Sequence, residues 1–381
     1  MASMKNDHRD SGSVRPRVCV STRIAGWVAV CLAVLPSVGC RDRGDASGDR
    51  VILKLSHITA PGSSWDRGAA EFAELLDQAS GGQVTVRVFP GGRLALRSQE
   101  TELQMLRSGA IDMTLHSPII LALFLDKRFD AFSLPWLFQD HAQAHAVCQG
   151  PFGDEALGWL AEKGVVGLAW GVNGFRQLTN SRRPVRTPAD LAGLKVRVAG
   201  SDIFLETFRQ LGAQPLTMNF GEVITALEQG VIDSQENPLS IIESSRLYEC
   251  QKYVTLWNYA YDPLILTMNA KRWRSFSAER QAMIKRCADQ AMGYQRGLVI
   301  EDDRTIPDRL VGHGMQVTRL SPSQRAAFAA GARAIHDKFR PRIGPDVVDR
   351  IVEAARSAAA GSTASTSPGT TTQSSTAPAQ P

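Results

Sequence analysis

The pattern of apolar and polar positions first becomes regular at residue 51. Residues 51–58 are rich in Val, Ile and Leu, the composition of a buried strand. After a polar break Ser64 is the expected helix cap, and Trp65, Ala69, Phe72, Leu75, Leu76 and Ala79 then recur at helical spacing along one stripe. Gly81 and Gly82 close that helix. Residues 83–89 place Val84, Val86 and Val88 on one face of a second strand. A strand–helix–strand opening predicts a parallel sheet covered by helices.

A helix over 99–108 then runs into Gly109, with a short strand expected over 110–115. The same device returns later. Asn219 is placed to cap a helix, with Glu222 at the third position reaching back. That helix runs to Gln229, stops at Gly230, and a strand is expected over 231–233. Residues 106–112 and 227–233 both spell L-x-x-G-x-I-D. Helix–glycine–strand is common punctuation, so the match is open to coincidence. The other reading is two lobes on one plan, each with its own α/β sheet. Strands over 165–170 and 194–198 surround the second copy, and the last third is helical. Helices are expected over 278–297, from the strong start Ser321-Pro322-Ser323-Gln324 toward Phe339, and over 347–360.

The two ends follow other rules. Arg15, Arg17 and Arg23 precede an apolar run over 24–35, a positive region and a short hydrophobic one as in a secretory leader. The run ends in Pro36-Ser37-Val38-Gly39-Cys40, small residues before a cysteine in the manner of a bacterial lipoprotein box, with Ser37 where an aliphatic residue is usual. A leader over 1–40 and export are expected. Cys40 is either lipidated or a bystander to ordinary cleavage. Residues 361–381 are almost entirely Ser, Thr, Ala, Pro, Gly and Gln, and are expected to be disordered.

Composition mainly excludes. The 381 residues are 43% hydrophobic and 21% charged, enough for a sizeable core without disulfide or metal support. The net charge of +5 carries no basic stripe with interleaved aromatics, so no nucleic acid partner is expected. None of the six cysteines forms a CxxC pair, and Cys148, Cys250 and Cys287, beyond the leader, leave at least one unpaired. There is no G-x-S-x-G, no phosphate-binding loop and no H-E-x-x-H. His141 and His145 stand i, i+4 beside Asp140 but lack a clear third ligand, and Glu301-Asp302-Asp303 is a charged helix face. No metal, no cofactor and no enzymatic activity are expected.

Candidate chemistry concentrates in 173–200 and 234–238. Val196 and Val198 point to one face of a strand, Lys195 and Arg197 to the other. Arg197 lies at the carboxyl end, where clefts open in such sheets, and its planar fork takes a carboxylate bidentately. The same pattern suits a solvated arginine. Ser234-Gln235-Glu236-Asn237-Pro238 has the composition of a turn, and it also stands at the end of a strand, where Asn237 is placed to donate to a ligand oxygen.

Taken together, Leu134-Pro135-x-Leu137-Phe138, Asn173-Gly-x-Arg176, Leu191-x-Gly-Leu-Lys-x-Arg197, Gly212-Ala-x-Pro215, Phe220-x-Glu222-x-x-x-Ala226-Leu227 and Asp233-x-Gln235-Glu236-Asn237-Pro238 carry a resemblance. In this order and spacing, over nearly all of 51–345, the chain resembles the solute receptors of tripartite ATP-independent periplasmic (TRAP) transporters, the DctP-like family. The resemblance implies a two-lobed, periplasmic-binding-protein-like α/β fold with hinged lobes, a long kinked helix bracing both, and a helical C-terminal part. Lobe I would hold 50–173 plus about 263–302, and lobe II 174–262 plus about 303–355. It implies a salt bridge from Arg197 to a ligand carboxylate, a second contact from Arg176, a polar contact from Asn237, and Phe220 at the cleft wall. It also implies a monomeric periplasmic receptor that serves small and large membrane permease subunits.

This chain departs from the family at Gly91-Gly92-Arg93-Leu94-Ala95, where Q-L-G is usual, and at His116 and Ser117, where acidic or polar residues often follow the I-D strand. His116 either reads a ligand oxygen or is a satisfied structural histidine. Trp65 either faces the cleft mouth or packs in the core. A sensory receptor of the same fold, acting on a membrane kinase, is the alternative function, and a secreted enzyme a third. Mono- and dicarboxylates, hydroxy, keto and sugar acids and amino acids all satisfy an arginine clamp.

Overall fold

The computed structural model describes residues 50–364, with side chains through 360. The expected leader, Cys40 and the tail beyond 364 lie outside the described residues.

The first unit is β1 (Val51–Ser56), α1 (Ser64–Ala79), β2 (Val84–Phe89), α2 (Gln99–Ser108), β3 (Met113–His116) and α3 (Pro118–Phe124). β1 pairs in parallel with both β2 and β3, as its strand–helix–strand pattern requires. Trp65, Ala69, Phe72 and Leu76 bury the expected stripe of α1. Its cap is Ser63 rather than Ser64: the Ser63 hydroxyl accepts from the Asp66 amide at 3.3 Å, and Ser64 is already helical.

α4 (His141–Cys148) and α5 (Pro151–Gly158) lead into β4 (Val165–Asn180). β4 does not stop near residue 170 but runs through the whole Asn173-Gly-x-Arg176 motif. The second unit repeats the first: β5 (Lys195–Val198), α6 (Asp202–Gln210), β6 (Gln214–Thr217), α7 (Phe220–Glu228), β7 (Ser234–Pro238) and α8 (Leu239–Ser244), with β5 parallel to β6 and β7.

The repeated L-x-x-G-x-I-D does one job twice. Gly109 and Gly230 end their helices at φ 81° and 69°, a region open to glycine at no steric cost. Asp112 then clamps the backbone of Lys54, donating its amide to the Lys54 carbonyl at 3.1 Å and accepting the Lys54 amide on Oδ2 at 2.8 Å. Asp233 does the same to Lys195, at 3.0 and 3.2 Å. In both copies the strand begins only after this aspartate, later than the pattern suggested. Ser234–Pro238 is therefore a strand, buried throughout, and not a turn. It lies between β5 and β4, where neighbouring strands partner its polar side chains. The Asn219 capping box does not form: the Asn219 side chain makes no capping hydrogen bond.

β8 (Tyr253–Leu256), β9 (Tyr261–Asn269), α9 (Ala270–Arg274), α10 (Ala278–Gly312), β10 (Gln316–Arg319), α11 (Pro322–Ala329), α12 (Ala332–Ile343) and α13 (Pro345–Ala364) complete the chain. Strand order is β2-β1-β3-β9-β4-β7-β5-β6, with β8 on β4 and β10 on β8. The order is symmetric about the antiparallel β9–β4 pair, which gives two lobes. β4 pairs with β9 as far as Phe175 and with β7 from Arg176 onward, so it passes from one lobe to the other at that step.

α10 packs on α1 and β4 and also on α8 and β10, bracing both lobes. It has 35 residues, with Pro307 inside, and spans about 52 Å. The helix expected over 278–297 continues to Gly312, through Glu301-Asp302-Asp303, which lie on it as the expected charged helix face. The Ser321–Gln324 capping box forms as expected, but the helix it starts breaks before Gly331, which lies hard against Gln210. α13 extends past residue 361, where a disordered tail was expected to begin. Cys148, Cys250 and Cys287 are all free thiols.

Candidate functional site

The carboxyl ends of β1, β3, β5 and β7 converge where β4 and β9 exchange lobes, the place where ligands bind in open α/β sheets. A cavity lies there, with ≈ 410 Å³ of non-atom space that is partly open to solvent. Arg176, Arg197, Asn173, Asn237, Ser117 and Asp262 supply polar wall. Ile58, Ile119, Ile120, Ile241, Trp65 and Phe220 supply apolar wall. Arg197, Arg176, Asn237, Phe220, Ser117 and Trp65 are thus brought together as the sequence suggested.

The two arginines stand in opposite electrostatic situations. Arg176 is the first residue of β4 beyond the lobe crossing, and it faces β7 and the start of β9. Its Nε and Nη2 grip the Glu236 carboxylate, Nη1 donates to Asp262 Oδ2 at 2.7 Å, and Nη2 also reaches Asn237 Oδ1 at 3.2 Å. Burial opposes its charge, but Glu236 and Asp262 outweigh burial and its pKa is raised. Tyr259 donates its hydroxyl to the same Glu236 at 2.7 Å.

Arg197 is just as deeply buried, at 3% exposure. Its Nε and Nη2 donate only to the Met218 carbonyl, at 3.0 and 2.8 Å. Among the described residues no carboxylate pairs with it. Burial pushes its pKa down to about 10, against the pull of Glu236 and with the push of Arg176. Its guanidinium carbon stands 5.9 Å from the Phe220 ring centroid, a cation–π contact.

Asp262 was not singled out from the sequence, although a lone acid just ahead of the apolar run 263–266 is a signal. Its carboxylate accepts from Ser117, from Asn173 Nδ2 at 2.7 Å and from Arg176. Burial raises its pKa and these donors resist the rise. Asn173 in turn accepts the Trp65 indole N–H at 2.9 Å. Trp65 is therefore both core and cavity wall, at 2% exposure.

His116 does not line the cavity. It is fully buried, and neither ring nitrogen has a hydrogen-bond partner among the described residues; Nε2 is 3.5 Å from Glu102 Oε2. Ser56 donates to the other Glu102 oxygen. Burial pushes Glu102 up to about 7 and, with the nearby His57, pushes His116 down to about 3. Arg93 also stays out of the cavity, folding back over Phe89. His141 and His145 face α10, where they meet Asp303 and Arg296. Among the described residues no group of three or more His, Cys, Asp or Glu is placed to hold a metal.

The lobes touch across the cavity mouth. Gly221 of α7 lies against Arg97 so closely that a Cβ on it would stand 2.9 Å from Arg97 Cβ and 3.3 Å from the Arg97 carbonyl. Gly200 meets Leu123 in the same way, at 3.0 Å.

The family model of bacterial extracellular solute-binding proteins, family 7 (DctP), matches residues 55–342. The chain is 35% identical over 304 residues to the 2,3-diketo-L-gulonate-binding periplasmic protein YiaO of Escherichia coli, covering 79% of this chain and 91% of that one. It is similar to the sugar acid binding protein DctPAm of Advenella mimigardefordensis, solved in complex with galactonate, at 32% identity and TM-score 0.78, over 81% of this chain and 99% of that one. It is also similar to a TRAP periplasmic solute binding protein of Ralstonia eutropha, solved with bound (S)-2-acetolactate, at 34% identity and TM-score 0.76, over 80% and 99%. No described helix is long and apolar enough to cross a membrane. A symmetric two-lobed fold closed over an arginine-bearing cavity, together with these similarities, makes the chain a member of family 7 of the bacterial extracellular solute-binding proteins, the DctP-type solute receptors of TRAP transporters.

Proposed function

We propose that this protein captures a small carboxylate in its interlobe cleft by a salt bridge to Arg197 and delivers it to TRAP membrane permease subunits. One observation carries the reading: of two buried arginines in one cavity, Arg176 is matched by Glu236 and Asp262, and Arg197 has only a carbonyl. An acid on Arg197 supplies the missing counter-charge. Arg176 orders the wall, Asn237 keeps an amide proton beyond the one it gives Gln235 for a ligand oxygen, and Phe220 covers the guanidinium.

The motion is a population shift. The ligand bridges the lobes about the β4–β9 crossing and favours the closed form, because it interacts fully only there. We take lobe I as 50–173 plus about 263–302 and lobe II as 174–262 plus about 303–355. We further propose that the receptor is exported and held at the membrane by a lipid on Cys40; the intact mass of the mature protein tests this, and an unmodified N-terminus downstream of Cys40 would refute it.

Mass spectrometry of small molecules released by denaturing the purified protein tests the central reading. Wild type is expected to release an organic acid and Arg197→Ala none. Equal amounts of the same acid from both would overturn it.

A further inference from the structure

We infer that the cleft selects compact monocarboxylates with a branched apolar body, over dicarboxylates and polyhydroxy acids. The inference rests on Arg197 taking the ligand carboxylate and goes on to the remainder of the ligand.

Charge in the cavity wall disfavours a second carboxylate. Arg197 and Arg176 are the cationic residues of the cavity wall, and Arg176 is already spent on Glu236 and Asp262. A second ligand carboxylate finds no free cation there. It meets the Asp262 carboxylate in the wall, with Glu236 behind it. A buried charge without a partner is strongly unfavourable, so a dicarboxylate is rejected.

Most polar groups of the wall already have hydrogen-bond partners. Thr59 Oγ1 is held between His57 and Ser63, at 3.0 and 2.8 Å. Ser117 is committed to Asp262, and Asn173 is held between Trp65 and Asp262. Among the described polar wall residues only the Gln99 side chain makes no hydrogen bond. A sugar acid would bury a row of hydroxyls with too few open partners, and each unmatched hydroxyl is penalised. A single oxygen beside the carboxylate, as in a 2-oxo or 2-hydroxy acid, is within the means of Gln99 and Asn237.

The rest of the wall is apolar. Ile58, Ile119, Ile120 and Ile241 reach the cavity from the end of β1, from α3 and from α8, and Phe220 and Trp65 complete the wall. That surface is suited to a methyl-bearing body rather than to a polyol chain. The similar receptors include one solved with a sugar acid and one with a branched monoacid, so the fold alone does not decide between them.

Calorimetric titration of ligand-free protein with four probes tests this: 3-methyl-2-oxobutanoate, its amide, succinate and galactonate. The branched acid is expected to bind at least about tenfold more tightly than succinate, galactonate or the amide. Succinate or galactonate binding as tightly, with loss of binding in Arg197→Ala, overturns the selectivity and leaves the arginine clamp standing. Equal binding of the acid and its amide, or no binding of any acid, overturns the clamp and the selectivity together.

Discussion

Arg197 grips the Met218 carbonyl through Nε at 3.0 Å and Nη2 at 2.8 Å. Met218 stands just ahead of α7, whose first residue, Phe220, covers the guanidinium and whose second, Gly221, touches Arg97 of the other lobe. The residue proposed to meet the ligand and the segment that touches the other lobe are thus one mechanical piece. A carboxylate that pulls on Arg197 also steadies the start of α7.

Arg197→Ala should weaken ligand binding by about 2–5 kcal/mol, read by calorimetry with the tightest acid of the panel. Arg197→Lys should bind poorly too, since a point charge cannot reproduce the fork. Ligand-free Arg197→Met should melt at the wild-type temperature or above it, because the change removes a buried charge that has only a carbonyl partner. A large drop in ligand-free stability would assign Arg197 a structural role instead.

Arg176→Met should do the reverse. It strands Glu236 and Asp262, at 0% and 1% exposure, without their cation. Urea unfolding of the ligand-free protein should show a loss of about 3–5 kcal/mol. Unchanged stability would mean that this network does not hold the cavity wall.

Gly221→Val places a Cβ 2.9 Å from Arg97 Cβ, at the point where the two lobes touch. Overpacking of about 1–3 kcal/mol should fall on the closed form alone, weakening affinity roughly five- to 150-fold with no change in ligand-free melting. Small-angle scattering at saturating acid should show a mixed or open population. Wild-type affinity would show that the Gly221–Arg97 contact plays no part in closure.

The Glu102–His116 pair yields a pH test with two opposite signs. Glu102 titrates higher in the fold, at about 7, than its ordinary 4.5, so its contribution is present at low pH and is lost as pH rises through that window. His116 titrates lower, at about 3 against an ordinary 6.5, so its contribution is present at higher pH and is lost as pH falls from 6.5 toward 3. The two oppose each other between pH 4.5 and 6.5. Over that range Glu102→Gln should gain stability with rising pH more steeply than wild type, and His116→Asn should lose it, in urea melts at stepped pH. Parallel profiles for all three proteins would remove both groups from the titration.

Much of this was legible in the sequence, and the misreadings have physical causes. The L-x-x-G-x-I-D repeat announced two lobes on one plan because its glycine and aspartate each serve backbone geometry, which leaves a local signature. The strands after it were placed too early because the buried residues Ile111 and Ile232 precede the turn into the strand rather than lie in it. Ser234–Pro238 looked like a turn because strand propensity ignores partners, and β4 and β5 supply them. The Asn219 box failed for the converse reason, a local motif that its surroundings do not use. Arg197 and Arg176 were both visible as candidates. Their difference lies in what faces each guanidinium, acids 60 and 86 residues away for Arg176 and a carbonyl 21 residues away for Arg197, which no local pattern carries.

The most direct measurement is a crystal structure of the protein with the acid it retains through purification, or with the tightest acid of the panel. The ligand carboxylate is expected within hydrogen-bonding distance of the Arg197 guanidinium, with Arg176 still on Glu236 and Asp262. A carboxylate seated on Arg176, with Arg197 still bonded to Met218 alone, would contradict it.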